Sequence, residues 1–411
     1  MTTQTVSRGT ALITVLLLCS CGGGGPVTSK VTIRDSAGIE IVENDLPLWG
    51  EDDEWLVSQE TVLEIGAVGG SPEQQLFRVE DVARLSDGRI AVLDGGAQEL
   101  RIFAPDGQYR MTVGGAGDGP GEFQRPQQLE VLAGDTLRVW DDRAGRTTWF
   151  DANGSYLHTE SRARKSLQEL LSPPYFTIWS HLLPDGAFFA QSAESRRIGE
   201  HGLERPRQLF LWISPDLAQV DTLGVFGGVE QAVGSPEGRR LSLIPPYPRT
   251  TWWAFGGNPP RVVLGEQEAP EIFVFEAGRL RRIIRWASEP EPITAADIEA
   301  WKVLSREWMG RMMSAQALED FLESAPIPDY RAPYGYLHAD VEGNVWIEEA
   351  GLTVLRLDWL SCRVFDPTGR LLGTTQVPPI RIMEIGPDYI LGVHYDDDRV
   401  QSVRMYRLIK P

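Results

Sequence analysis

The feature that most constrains this chain is an internal repeat. The segment "VARLSDGRIAVLDGGAQELRIFAPDGQYRMTVGG", starting at Val82, lines up with "LEVLAGDTLRVWDDRAGRTTWFDANGSYLHTES", starting at Leu129. Asp94 then matches Asp141, Phe103 matches Phe150 and Gly107 matches Gly154, each pair 47 residues apart. Short runs of alternating apolar and polar residues fill the unit, punctuated by Asp-Gly and Asn-Gly. Alternation at period two marks half-buried strands, and the glycine dipeptides between them mark tight turns. Several short strands within about 40–50 residues make one blade of a radial repeat. One such unit cannot bury its own apolar faces, so it requires neighbours of the same kind.

Between the two units lies "GGAGDGPGEF", residues 114–123. Its glycines suggest a phosphate loop, but the spacing does not fit. A dinucleotide site needs G-x-G-x-x-G between a strand and a helix, and a P-loop needs a Lys-Ser or Lys-Thr after its glycines. Here Pro120 stands where the third glycine is required, no such lysine follows, and the next segment reads as strands. The stretch is read instead as the crossover from the outer strand of one unit to the inner strand of the next. Glycine serves there because the chain reverses in a small space at positive φ.

Weaker units follow, to a total of six. The third runs through "TIWSHLLPDGAFFAQSA" and "RQLFLWISPDLAQVDTLGVFGG", the fourth from "TTWWAFGG" to "RRIIRW", and the fifth from "YGYLHADVEGNVWIEEA" to "LLGTTQV". The sixth, "RIMEIGPDYILGVHYDDDRVQSVRMYRLIKP", reaches the C-terminus with three strands. Near the N-terminus, "VLEIGAVGGSPEQQLF" copies the outer strand and crossover but has no unit before it. Val62 to Gly66 is therefore expected to complete the sixth blade and close the ring, which removes its open edges. The expected fold is an all-β six-bladed β-propeller over residues 59–411. One insertion, residues 294–324, reads as helical: Thr294 with Asp297 forms a capping box, Ile298, Trp301, Leu304, Trp308 and Met312 share a face, and Ser314 caps a second helix. Two roles stay open for it, packing on the rim or covering the central channel.

"GGAGDGPGEFQRP", followed by "LRVWD" and "TTWFDANGSYL", resembles an NHL-type repeat over residues 66–160. The whole chain, including "IRDSAGIEIVEND", is similar to the bacterial secreted six-bladed β-propeller lipoproteins. That resemblance implies a fold rather than an activity.

The beginning of the chain is read separately. Arg8 precedes the apolar run Ala11–Leu18, a length suited to a signal-peptide core and well short of the ~20 residues that span a bilayer. It ends in Leu18-Cys19-Ser20-Cys21, which resembles a bacterial lipobox with Cys21 as the lipid acceptor. Residues 1–21 are expected to be a lipoprotein signal and 22–58 a tether and N-terminal extension, beginning with the flexible "GGGGP". A residue other than Asp after the cysteine, here Gly22, implies the outer membrane by that family pattern. The folded part then keeps one cysteine, Cys362, which can form neither an intramolecular disulfide nor a cysteine zinc site. With 39 basic against 58 acidic residues and no basic cluster, the chain lacks the positive face of a nucleic-acid binder. Membrane contact is expected through the lipid alone.

No nucleophile elbow, H-E-x-x-H or EF-hand loop occurs. The acidic "YDDDR" at 395–399 is read as a solvated hairpin tip, since a calcium site needs about 6–8 oxygens from several places. Chemistry is sought where the inner strands converge. Aligned on their turns, they give one column of Ala83, Glu130, His181, Trp253, His338 and Met383, and a second, two residues earlier, of Asp81, Gln128, Trp179, Thr251, Tyr336 and Arg381. These polar and aromatic residues either pair among themselves and with channel water, or form a site. As a binding site, Trp179, Trp252, Trp253 and Tyr336 offer apolar platforms, with Asp81, Glu130 and Arg381 as orienters, for a small molecule, glycan, peptide or envelope protein. As a metal-dependent hydrolase or lyase, His181, His338 and Glu130 are the candidate ligands of a divalent cation. Lactonase-type propellers draw on Asn and Asp there, whereas the four Asn of this chain lie outside both columns.

Overall fold

A computed structural model of the chain describes residues 31–411, apart from 51, 67–68, 162–174, 195–198, 200, 236–237, 239, 311–313 and 353–358. The signal segment and Cys21 lie outside the described residues.

Six antiparallel sheets are arranged as blades. Blade 1 comprises Val79–Arg84, Ile90–Asp94, Glu99–Phe103 and Tyr109–Val113. Blade 2 comprises Pro126–Leu132, Thr136–Asp141, Arg146–Phe150 and Tyr156–Ser161. Blade 3 comprises Tyr175–Leu182, Phe188–Glu194, Arg207–Ile213 and Val220–Gly227. Blade 4 is built on Trp252–Gly256, Arg261–Gly265, Glu271–Glu276 and Arg279–Trp286. Blade 5 comprises Leu337–Ala339, Val345–Glu348, Leu360–Phe365 and Leu371–Val377. Blade 6 takes Arg381–Ile385, Tyr389–Tyr395 and Gln401–Ile409 from the C-terminus and Leu56–Ile65 from the N-terminus. The closing strand pairs Ile65 with Val403 and Leu56 with Ile409. It starts six residues before the expected Val62, and Gly66 falls just outside it.

The repeat period has a physical reading. Asp94 and Asp141 are buried at the end of the second strand of their blades. Asp94 accepts the Phe77 N–H at 2.9 Å, and Asp141 accepts the Gln124 N–H at 2.6 Å. Each carboxylate also takes N–H groups of its own turn, Ala97 and Ala144. The side chain thus pins the incoming crossover to the blade it enters. Gln267 does the same in blade 4, accepting the Thr250 N–H at 2.7 Å. In the crossover itself Gly114, Gly117 and Gly121 lie at φ +73°, +155° and +81°. A Cβ on Gly114 would meet the Phe123 ring at 2.4 Å. Phe123 is fully buried and reaches Phe150 across 6.0 Å.

Packing shows the ring as closed. One apolar cluster fills each of the six blade interfaces, the last around Leu63, Val79, Phe103, Tyr389, Leu391 and Val403 between blades 6 and 1. Facing sheets interlock in this way because each is apolar on both faces.

Two additions lie outside the repeat. Residues 31–44, placed by the sequence in the extension, form a hairpin of Val31–Ser36 and Ile39–Asn44 that adds to the outer edge of blade 4, Ile39–Asn44 running parallel to Arg279–Trp286. Asn44 is buried and spans two blades: its Nδ2 donates to Arg285 O and Gly369 O, both at 3.0 Å, and its Oδ1 accepts the Leu371 N–H at 2.7 Å. The chain then crosses blade 5, where Trp55 packs on Trp346, before closing blade 6.

The second addition is the insertion. Helix α1, Ala295–Met309, starts with the expected capping box at Thr294 and Asp297, and helix α2, Ala315–Ser324, is capped by Ser314. Of the proposed shared face, Trp301 is buried, Ile298 and Leu304 are half-buried, and Trp308 is exposed; Met312 lies outside the described residues. The helices pack on a three-stranded sheet of Gly202–Glu204, Gln231–Gly234 and Leu241–Leu243, which the sequence did not signal. Trp301 joins the two, donating its Nε1–H to Ile244 O at 2.9 Å.

Candidate functional site

The polar columns of the inner strands are in large part fasteners between blades. Asp81 of blade 1 accepts the Leu129 N–H of blade 2 at 2.8 Å. Gln128, 47 residues on, repeats the contact one blade further: its Oε1 accepts the Leu182 N–H at 2.9 Å and its amide donates to Leu182 O at 2.6 Å. Arg381 of blade 6 donates to Val79 O of blade 1, and Glu384 accepts the Arg84 N–H at 2.8 Å. Inner strands converge too tightly for a further sheet, so side chains satisfy the backbone groups that face the next blade.

These contacts set the ionisation of the channel wall. Burial pushes the Asp81 carboxyl up to about 7, against the Leu129 and Val82 N–H groups and the Arg381 charge, which favour the anion. Burial likewise raises Glu384, whose carboxylate holds the Tyr389 hydroxyl at 2.7 Å. Burial lowers His181 to about 3, assisted by the Arg138 charge, so its ring is neutral. The Gln128 amide nitrogen sits 2.9 Å from His181 Nε2. An amide N–H can only donate, so His181 Nε2 accepts and the proton resides on Nδ1. The His181 ring stacks on Phe255 at 4.2 Å.

The remaining candidates are engaged as follows. Glu130 forms an ion pair with Arg138, which also donates to Leu183 O at 2.7 Å. His338 Nε2 meets Glu348 Oε1 at 2.6 Å. Tyr336 and Trp252 have ring centroids 4.0 Å apart, and Trp253 turns toward Phe189 and Phe210 of blade 3 at 5.8 and 5.9 Å. Trp179 pairs with Gln191 in the ladder, and its side chain lies outside the described residues. Among the described residues, no three His, Cys, Asp or Glu side chains are gathered as metal ligands would be. His181, His338 and Glu130 do line one cavity, but each is committed to the partners just given.

Two cavities share this axis. The channel cavity, about 480 Å³, brings together Asp81, Glu130, His181 and His338. The mouth cavity, about 830 Å³, brings together Trp253, Tyr336, His338 and Arg381. His338, Ile382 and Met383 belong to both walls, so the two spaces meet there. Over the mouth lies α1, contributing Leu304, Glu307 and Trp308. From blade 6 come Tyr395, Asp396, Asp397 and Arg399, whose guanidinium sits 4.7 Å over the Trp308 ring. The sequence placed Leu304 and Trp308 on a helix that either packs on the rim or covers the channel and read 395–399 as a solvated hairpin tip, while Glu307 had no role assigned.

The other end of α1 is firmly held. Asp297 takes the Thr294 N–H, the Tyr247 hydroxyl at 3.0 Å and Arg331 at 3.1 Å. Burial alone would raise its carboxyl, but the Thr294, Arg331 and Tyr247 bonds outweigh it and hold Asp297 well below the usual carboxylate range.

Residues 73–165 match the profile of a family described as "6-bladed beta-propeller", DUF5128. No curated protein matches the sequence. Among solved structures, the chain is similar to a Bacteroides fragilis protein named as an exported protein, at 12% identity and TM-score 0.46, covering 90% of this chain and 100% of that one. It is similar to a duf4221 family member of Bacteroides vulgatus, at 10% identity and TM-score 0.46, covering 87% and 99%. It is also similar to virginiamycin B lyase of Staphylococcus aureus, at 9% identity and TM-score 0.40, covering 87% and 100%. The fold rests on the repeat, the strand pairing and the family match, which agree on one architecture: a six-bladed β-propeller whose last blade is completed by Leu56–Ile65.

Proposed function

We propose that the chain is a binding propeller of the cell envelope, held at the outer membrane through lipidated Cys21, which takes a small ligand into the cavity at its channel mouth. The observation that carries this reading is the mouth cavity itself: about 830 Å³, walled by Trp252, Trp253, Tyr336 and Trp308, with Arg381, Asp396 and Asp397 at its edges. Apolar and aromatic walls with a few polar groups, at this volume, are what small-molecule sites share. The deeper channel offers less, because Gln128 and His181 are engaged with each other across blades 2 and 3 and Glu130 is paired with Arg138 within blade 2. This favours binding over a channel metal.

The test is tryptophan emission of the purified protein, titrated with panels of sugars and short peptides. A ligand of this site shifts the emission, and Trp253→Ala abolishes its binding, while Trp49→Ala, which removes a ring packed beside Trp55 and bonded through its backbone to Leu372 on the outer strand of blade 5, leaves it intact. Binding that persists in Trp253→Ala and Arg381→Ala places the site elsewhere and overturns the reading.

A further inference from the structure

Building on that reading, we infer that the mouth cavity takes a zwitterion of peptide type: an apolar body with a carboxylate at its inner end and an amine at its outer end. The charges of the wall are separated from the innermost strand of blade 6 outward. Arg381 stands on the innermost strand of blade 6, exposed to the cavity. It gives one N–H to Val79 O, and a guanidinium has five, so donors remain for an anion. Asp81 is close enough to be influenced by its charge, yet among the described residues no carboxylate forms an ion pair with Arg381.

At the outer end the sign reverses. Glu307 projects from α1, and Asp396 and Asp397 lie in the hairpin between Tyr389–Tyr395 and Gln401–Ile409. Asp396 uses one oxygen to accept the Val400 N–H at 2.7 Å. Among the described residues none of the three carboxylates has a basic partner. Arg399, the nearest cation in sequence, is directed over the Trp308 ring instead. That contact also shows that the cavity's aromatic wall accommodates a cation, as ring faces do.

Between the ends the wall is aromatic: Trp252, Trp253 and Tyr336. A neutral polyol would leave both charged ends without counterparts. A purely cationic or purely anionic ligand would satisfy one end and oppose the other. A zwitterion satisfies both, and the rings take the apolar body between.

The experiment is calorimetry on the full chain with glycyl-L-phenylalanine, its C-terminal amide, its N-acetyl derivative, and cellobiose as a neutral comparator. The free dipeptide is expected to bind, and each capped form to bind about tenfold or more weakly, as loss of a charge-assisted contact implies. Arg381→Met should remove the preference for acid over amide. Glu307→Gln with Asp397→Asn should remove the preference for amine over N-acetyl. The caps alone decide the matter if a variant fails to fold. Equal binding of all three peptides, or no binding of the dipeptide at millimolar concentration, overturns the proposal. Cellobiose binding that is lost in Trp253→Ala would overturn the ligand class while leaving the cavity as the site.

Discussion

At the scale of single residues, the channel wall is where position matters most. Asp81 has a carboxyl raised to about 7 by burial, against an ordinary value of 3.8. The folded state therefore keeps a proton that the unfolded chain has already released. Stability from this group is complete below pH ~4 and declines as pH rises toward ~7, at most about 1.4 kcal/mol per pH unit across that window. The actual slope is smaller, because Asp81 still meets channel solvent. Asp81→Asn keeps an oxygen for the Leu129 N–H and cannot ionise. Denaturant unfolding at several pH values should show wild type losing stability between pH ~4 and ~7 relative to this variant. Parallel curves would mean that Asp81 is ionised throughout. Gln128 illustrates the other half of the argument. Gln128→Ala orphans the Leu182 N–H and carbonyl in a buried place, and should cost about 1–3 kcal/mol by the same measurement. Such residues were visible in the sequence as polar members of strands that ought to be apolar. Their role was not, because a glutamine that orients a ligand and one that fastens a neighbour look alike until the neighbour is placed.

Elements differ in how much of them the sequence disclosed, and the difference follows the range of the interactions. The α1 cap from Thr294 to Asp297 spans four residues and was legible. So were the turns at Gly107 and Gly154, where φ is +86° and +78°. The three-stranded sheet under the helices joins residues 202, 233 and 242, brought together only by the fold. The hairpin on blade 4 depends on Asn44 meeting Gly369, 325 residues away. The insertion should accordingly behave as its own unit. Trp301 is 5% exposed and links α1 to Ile244, so Trp301→Ala should cost several kcal/mol, ~3–5 for a buried Trp, yet chiefly within the insertion. Hydrogen exchange should quicken across 295–324 and in Gln231–Gly234 while the inner strands of blades 1 and 2 keep their protection. Uniform acceleration throughout the ring would show that the insertion belongs to the same cooperative unit. Trp308→Ala, by contrast, removes an exposed ring whose contact with Arg399 is worth little in water, and should leave the melting temperature nearly unchanged.

The whole molecule is a ring whose closure is delegated to the segment nearest its N-terminus. That segment first extends blade 4, next clamps blade 4 to blade 5 through Asn44, then crosses blade 5 and finally completes blade 6. If Cys21 is the membrane anchor, Cys21→Ser should move the protein from the membrane to the soluble fraction without loss of fold, because the fold begins after it. Shortening the chain further should have graded effects. A chain beginning at residue 31 keeps every described strand and should melt as the full chain does. One beginning at residue 46 loses an exposed outer strand together with Ile41, Val42 and the Asn44 bonds, all buried against blade 4, and should melt measurably earlier but still cooperatively, because the six blades remain complete. One beginning at residue 67 loses Val57, Leu63 and Ile65, all buried against blades 5, 6 and 1. At about 1.5–3 kcal/mol for each buried side chain, that burial approaches the ~5–15 kcal/mol by which a domain is stable at all. It also bares Gln401–Ile409 as an apolar edge strand, which is a template for pairing with another chain. The third chain is therefore expected to aggregate or to lose its cooperative melting transition, not merely to melt earlier. Thermal unfolding with light scattering separates the three cases. A chain beginning at residue 67 that melts cooperatively alongside one beginning at 46 would show that the ring closes without its N-terminal strand.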